Sequence, residues 1–493
     1  MGTPNFFAYI MLLLFVPLAL AAFGTMRPAL AAVVLVVFGE MFLPEATSFN
    51  PPIFPEIAKD QMIYIGVLLG AVIYALPMLL KARPGTSVEV LALVLMAACV
   101  PGVLNNQQPL VYGPLVIPGT TNSDIPTVLV FDLLSWFVPF FVGRALLRDG
   151  RDLRTLMRVL MVGALIYSAL CLVEIRLSPQ LHNWVYGLHP APFSMTQRFG
   201  GYRPVLFMPH GLATAIFMAG GFLAANGMAR TQLNLGGVDS RPIAGWLGFV
   251  LVIGKSAATI VYAFALAPVI WLLRPRHGAL VAVFLVLLAL GYPALRTFDL
   301  FPIEPIVDLA TQVDAKRGES IGGRFRDEKL MLDKAQERFY FGWGGYARYW
   351  VYDPDTGKQR TVPDGYWIVQ FGNRGAVGFL MGFGIIVVPV LLAARRLRYV
   401  RDPKDRVLVV TLMLIVAMRL VDWLPNGHWG SMPVFLAGAL HGTMRGLGAK
   451  RAPRAVAAPT ETAAPPPLAP EAPPASLPPR LSDLLRPTRG ARS

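Results

Sequence analysis

Five arginines, one histidine, one aspartate and two aromatics stand out by type and spacing. In "IGGRFRDEK", Arg324 and Arg326 follow the pair Gly322-Gly323. Exposed glycine amides, a helix N-terminus and guanidinium groups together make a site for an anion such as phosphate. Basic residues in a first helical turn oppose the helix dipole, so the fold alone gives little reason for them. The plainer alternative pairs Arg324 with Glu319, Asp327 or Glu328. In "TQRFGGYRPVLFMPHG", Arg198 and Arg203 flank a second Gly-Gly turn and His210 closes the stretch. Arg203 precedes a proline, which holds its backbone extended; the alternative is an interfacial arginine that snorkels. In "TVPDGYWIVQFGNRG", Asp364 is followed by Tyr366 and Trp367, and Arg374 stands beside Gly375. A partly desolvated carboxylate there could take a proton or orient a hydroxyl, or it could simply cap a helix. Arg374 reads as part of a helix start or as a salt-bridge partner of Asp364.

The elements that must hold these groups are membrane helices. Of 493 residues, 55% are hydrophobic and only 15% are charged, which excludes a soluble enzyme and predicts an all-α polytopic integral membrane protein. Apolar runs from one end to the other predict about 12–13 transmembrane helices. The first, Phe6 to Phe23, lacks a basic leader and is read as a retained helix. Clusters such as Arg144 to Arg154 and Arg395 to Arg406 are assigned to cytoplasmic loops, because Lys and Arg concentrate on that face. Ile243 to Leu273 could form one long helix or two short ones. Two, with a turn at Lys255, keep the later arginines cytoplasmic.

Residues 1–445 are therefore expected to form one transmembrane domain with large periplasmic loops at about 177–210 and 296–365. The second loop is too long for a mere connection. Its Phe325, Leu332, Ala335 and Phe339 share one helical face, which suits a short helix on the membrane surface or over a cavity. Residues 446–493 are Pro/Ala-rich and are expected to be a disordered cytoplasmic tail. Arg419 and Asp422 can pair on one helix face, and Asp132 and Glu174 are further intramembrane charges. Cys99 and Cys171 read as small buried hydrophobes. Six scattered histidines without a ligand pair imply no metal site, and no cofactor is expected. The net charge of +15 sits largely in short loops and the tail, where it reports topology rather than nucleic-acid binding.

The block Gly323 to Phe379 resembles the shared domain of the O-antigen ligase and O-antigen polymerase superfamily. The resemblance runs through Gly322-Gly323-Arg324, the aromatic/glycine element "FYFGWGGYARY" and the closing "DGYWIVQFGNRGAVG". The earlier "RPVLFMPHGLA" resembles that family's Arg…Phe-x-x-Pro-Asn-x-x-Ala element, with Pro209-His210 at the Pro-Asn pair. There are departures. Asp364 stands where the ligases carry a histidine, Gly365 where they carry asparagine, and Asn373 where the family has glutamate. The missing histidine favours a polymerase over a ligase.

The resemblance implies an inverting, metal-independent glycosyltransferase that polymerises undecaprenyl-pyrophosphate-linked oligosaccharides at the periplasmic face of a bacterial inner membrane. Its partners would be the lipid-linked donor and acceptor and membrane lipids, with a chain-length regulator or export machinery as further candidates. Arg203 and Arg324 would clamp the pyrophosphate, with Arg198, Arg326, His210 and Arg374 assisting. Asp364 would serve as the base, and Tyr366 and Trp367 would stack on sugars. The alternatives are a ligase for a finished glycan and, in another class, a glycan transporter.

Overall fold

The computed structural model describes residues 2–51, 55–198 and 200–448. The helices are α1 (Phe6–Thr25), α2 (Pro28–Phe42), α3 (Lys59–Ala82), α4 (Val90–Leu104), α5 (Asp124–Asp132), α6 (Val138–Leu146), α7 (Gly150–Leu177), α8 (Leu181–Tyr186) and α9 (Gly211–Arg230). They continue as α10 (Ser240–Ile253), α11 (Ala257–Leu272), α12 (Pro275–Thr297), α13 (Ile303–Val313), α14 (Ala315–Gln336), α15 (Tyr366–Arg396), α16 (Pro403–Asp422) and α17 (Met432–Gly448). Two small hairpins lie in the loops: β1 (Leu110–Tyr112) with β2 (Leu115–Ile117), and β3 (Gln197–Arg198) with β4 (Gly201–Tyr202). Among the described residues, seven helices are long and apolar enough to cross a membrane, with α5 and α6 counted as one through a π-turn at Leu133–Phe137. α2, α4, α10 and α11 are shorter apolar helices. The chain is an all-α polytopic membrane protein.

Local signals start these helices. Proline occupies the first turn of α2, α12 and α16, where its missing N–H costs nothing. Asn5, Asp149, Asp239 and Asp402 cap α1, α7, α10 and α16 with side-chain oxygens. α6 and α17 pack through glycine. A side chain at Gly143 would meet the Phe435 carbonyl, and one at Gly438 would meet the Phe140 carbonyl. Such close backbone approach is how helices associate where lipid supplies no hydrophobic drive.

The 243–273 stretch forms two helices, α10 and α11. Lys255 sits between them in a left-handed conformation at φ 57. The second long loop folds into α13 and α14, whose Met331, Leu332 and Ala335 are buried while Phe339 is exposed beyond the helix end. One expectation fails here. Gly322, Gly323 and Arg324 do not open a helix; α14 begins eight residues earlier in the chain than Gly323, at Ala315, capped by Asp314. Their amides are therefore spent in the helix ladder, and no glycine-rich anion nest exists there. The tail 446–493 lies almost wholly outside the described residues.

α15 is broken. Gly375 has φ 66 and ψ −170, a conformation open essentially to glycine alone. The break frees backbone groups on both sides, and the aromatic/glycine loop takes them up. Ala376 and Val377 donate to the Phe339 and Tyr340 carbonyls at 2.7 and 3.2 Å. Trp343 and Gly344 donate to the Gly372 and Asn373 carbonyls, both at 2.9 Å. "FYFGWGG" is thus a plug for a discontinuous helix, which also satisfies the backbone that a membrane would leave bare.

Candidate active site

One end of the bundle, here called the upper end, gathers the residues with chemistry. Glu174, on the last turns of α7, accepts from the Val205 and Leu206 amides at 2.7 and 2.9 Å. Lys59 donates to the Phe207 carbonyl at 2.8 Å. These bonds fix the segment between β4 and α9 that carries Arg203. Asp60 accepts from the Ser431 amide at 3.0 Å, and the Tyr366 amide donates to the Asn426 carbonyl at 3.1 Å. The segment 424–430 is thereby tied to the starts of α3 and α15.

Arg324 and Asp364 meet at this end. The Arg324 Nε lies 3.4 Å from an Asp364 carboxylate oxygen. Both line a cavity of ≈ 230 Å³ together with Tyr292, Phe325, Glu328 and Pro425. Burial pushes the Asp364 carboxyl above its ordinary range, and the Arg324 charge only partly offsets this. Asp364 is not a helix cap: the N-cap of α15 is Gly365, without a side-chain bond. Nor does Arg324 pair with Glu319, Asp327 or Glu328.

Glu328 instead braces the cavity wall. It accepts from Arg296 Nε, from the Tyr292 hydroxyl at 3.0 Å and from the Trp367 indole at 3.2 Å. This joins α12, α14 and α15. Burial raises the Glu328 carboxyl, while its hydrogen bonds to Arg296, Tyr292 and Trp367 work the other way. The brace has a consequence for the aromatics. Trp367 is fully buried, and Tyr366 is buried between Trp423 and Trp429 with its hydroxyl on Gln370. Neither offers a face to a sugar, because each is consumed in packing; Trp367 also donates to Glu328 and Tyr366 to Gln370.

Arg374 does not reach Asp364. It forms an ion pair with Asp132 and donates to Cys99 Sγ at 2.9 Å, inside the bundle. The break at Gly375 turns it there. Arg326 is exposed on α14 and does not line the Arg324 cavity.

Arg203 belongs to a second basic group. It lies within electrostatic reach of Arg198, and burial together with that like charge pushes its guanidinium down to about 10. Its Nε is buried without a hydrogen-bond partner among the described residues. Lys255 joins the group: a side chain at Gly201 would come within 2.2 Å of Lys255 Nζ. His210 caps α9 by accepting from Ala213 at 3.3 Å. Its ring packs edge-on against His428 at 4.8 Å. Burial, reinforced by Arg203, pushes His210 down to about 4, so it is neutral at pH 7. The two arginine groups therefore share one end of the molecule but flank the 424–430 segment. Leu424 and Pro425 line the Arg324 cavity, and His428 faces His210; Arg203 does not line that cavity.

Sequence reasoning passed over a third feature. A hollow of ≈ 450 Å³ is lined by Glu40, Glu45, Lys59, Asp60, Arg374 and Trp429 among others. A narrower one shares Glu40, Pro209 and Trp429 with it and adds Arg419 and His428. Arg419 does not pair with Asp422 as the helical spacing suggested. Asp422 accepts from Asn426 at 2.7 Å and faces His428 at 3.7 Å. The available signal was Glu40, a carboxylate inside the apolar run of α2, since charges within a membrane are costly and mark interior faces. Among the described residues, no group of three or more His, Cys, Asp or Glu could hold a metal ion.

No protein-family model matches this chain, and no curated protein matches it.

Proposed function

We propose that this chain is a membrane glycosyltransferase that polymerises undecaprenyl-pyrophosphate-linked oligosaccharides at the periplasmic face of a bacterial inner membrane. The observation that carries the reading is the Arg324–Asp364 pair in its ≈ 230 Å³ cavity at the start of a membrane helix. Topology supports it. The opposite end of the bundle holds Arg144, Arg148, Arg154, Arg274 and Arg395 to Arg406, and membrane proteins keep such clusters cytoplasmic. The upper end then faces the periplasm.

In this mechanism an acceptor hydroxyl attacks the anomeric carbon of the donor. The C–O bond to the lipid diphosphate breaks, the carbon inverts and the hydroxyl proton leaves to a base. The departing diphosphate gains negative charge, and fixed guanidinium groups stabilise it most where water is excluded. Arg324 supplies that charge within the cavity, and Arg203 with Arg198 and Lys255 supplies it from across the 424–430 segment. Diphosphate oxygens compete with Asp364 for Arg324. As they draw the guanidinium away, Asp364 loses the group that holds its proton affinity down and becomes a better base. Substrate binding and base activation are coupled through one ion pair. The sugar-binding surface is formed by residues other than Tyr366 and Trp367, which are buried.

The break in α15 does not favour a transporter. Discontinuous helices in transporters present free backbone to a substrate, whereas here the 339–344 loop occupies it. A ligase acting on another acceptor shares the same chemistry and differs in product. Cells relying on an Arg324→Ala variant are expected to accumulate lipid-linked single repeats and lack long polymer. Unchanged chain length rejects the clamp, and wild-type turnover by Asp364→Asn rejects the base.

A further inference from the structure

We propose that the lower end of the bundle holds a binding site for the headgroup of an anionic phospholipid. A cleft of ≈ 800 Å³ opens there between the start of α12 and the turn joining α15 to α16. Arg274, Arg276, His277, Arg395, Arg398 and Arg406 line it. The arginines come from two loops more than a hundred residues apart, so the cleft is a product of the fold. Topology alone asks only for basic residues somewhere in these loops. It does not require their convergence on one hollow.

Convergence of five like charges is unfavourable unless something neutralises them. Among the described residues, none of the five has a carboxylate within 4 Å. The nearby acids are turned elsewhere: Asp405 bonds Arg154 at 2.8 Å, and Asp402 also pairs with Arg154. Arg406 spends its Nε on the Val400 carbonyl at 2.6 Å, and Arg398 gives one donor to Tyr399. Among the described residues, the other guanidinium donors of Arg274, Arg395, Arg398 and Arg406 have no hydrogen-bond partner. The N-terminus of α12, started by Pro275, adds its own partial positive charge at the cleft.

The same cleft has an apolar side. Ala279, Leu280 and Leu397 line it, and Leu280 is 61% exposed. On α11 and α12, Leu272 and Phe284 are 80% and 64% exposed. A free phosphate ion would use the arginines and leave this wall bare. A phospholipid uses both, with its phosphate among the guanidinium groups and its chains against Leu280. Basic hollows between membrane helices on the cytoplasmic side are suited to such headgroups. The site is independent of the chemistry proposed for the upper end, and either can fail without the other.

The test uses the full chain purified in detergent, with phosphatidylglycerol, phosphatidylethanolamine or inorganic pyrophosphate as probes. Native mass spectrometry counts the lipid retained. The wild type should retain phosphatidylglycerol in preference to phosphatidylethanolamine. Arg276→Gln alone, at an exposed position that leaves the fold intact, should weaken retention about fivefold, and Arg276→Gln with Arg395→Gln and Arg398→Gln about a hundredfold. Retention of phosphatidylethanolamine should not change. Equal retention of phosphatidylglycerol by wild type and variants overturns the site. Thermal stabilisation by pyrophosphate equal to that by phosphatidylglycerol overturns the lipid assignment.

Discussion

Two arginine–aspartate pairs in this protein are made of the same groups and do opposite things. Arg374–Asp132 lies inside the bundle, with side chains 11% and 0% exposed, and a third partner in Cys99. Arg324–Asp364 lies at the wall of a cavity, with side chains 52% and 37% exposed and a separation of 3.4 Å. The first is held by packing and by the break in α15, with the Asp132 side chain wholly buried. The second is half-buried at a cavity wall and open to exchange with another anion. A pair that must let go during a reaction has to be of the second kind.

The comparison predicts a graded series. Arg374→Ala should be the most damaging change, since it strands the Asp132 carboxylate in the bundle. Removing one partner of a buried pair costs about 3–5 kcal/mol, so thermal unfolding of the purified protein should shift strongly or folded protein should be lost. A near-normal unfolding temperature would show that the inner pair is as dispensable as the outer one. Gly375→Ala follows, at about 1–3 kcal/mol for backbone strain alone, with added conflict because its Cβ would lie 2.4 Å from Tyr340 backbone atoms. The same unfolding measurement, together with proteolysis of the 339–344 loop, checks it. Arg324→Ala should change stability by no more than about 1 kcal/mol, as solvated pairs do, while polymer formation is lost; a large stability loss would place this pair with the buried one.

The smallest expected effect is on pH dependence. Burial raises the Asp364 carboxyl, so its basic form exists only above that raised value. Activity should fall as pH falls through a point above the usual carboxylate range. An acid limb inside the usual range would mean that Asp364 is not the group being titrated.

The helices and the mouth of the site were legible along the chain for different reasons. A membrane span needs a long apolar run, so the all-α polytopic class was legible, although among the described residues seven helices rather than about 12–13 are long and apolar enough to cross a membrane; the turn at Lys255 between two short helices was read from the placement of the later arginines. Asp364 and Arg324 could be singled out because charged groups beside a membrane helix are few. Their pairing could not, because α14 and the start of α15 meet only after the long loop folds. Local patterns also misled: Gly322-Gly323 looks like a helix start, but Asp314 and Ala315 begin the helix earlier.

By itself the chain determined its solvent, since hydropathy is a property summed over short windows. The tertiary structure alone decided which charges became scaffold and which stayed available. Arg374 was turned inward by one glycine with φ 66, Trp367 was spent on Glu328, and Lys255 was carried to the hairpin of Arg198. Ion pairs and cavities depend on distances between segments far apart in sequence, and those distances exist only once the helices have packed.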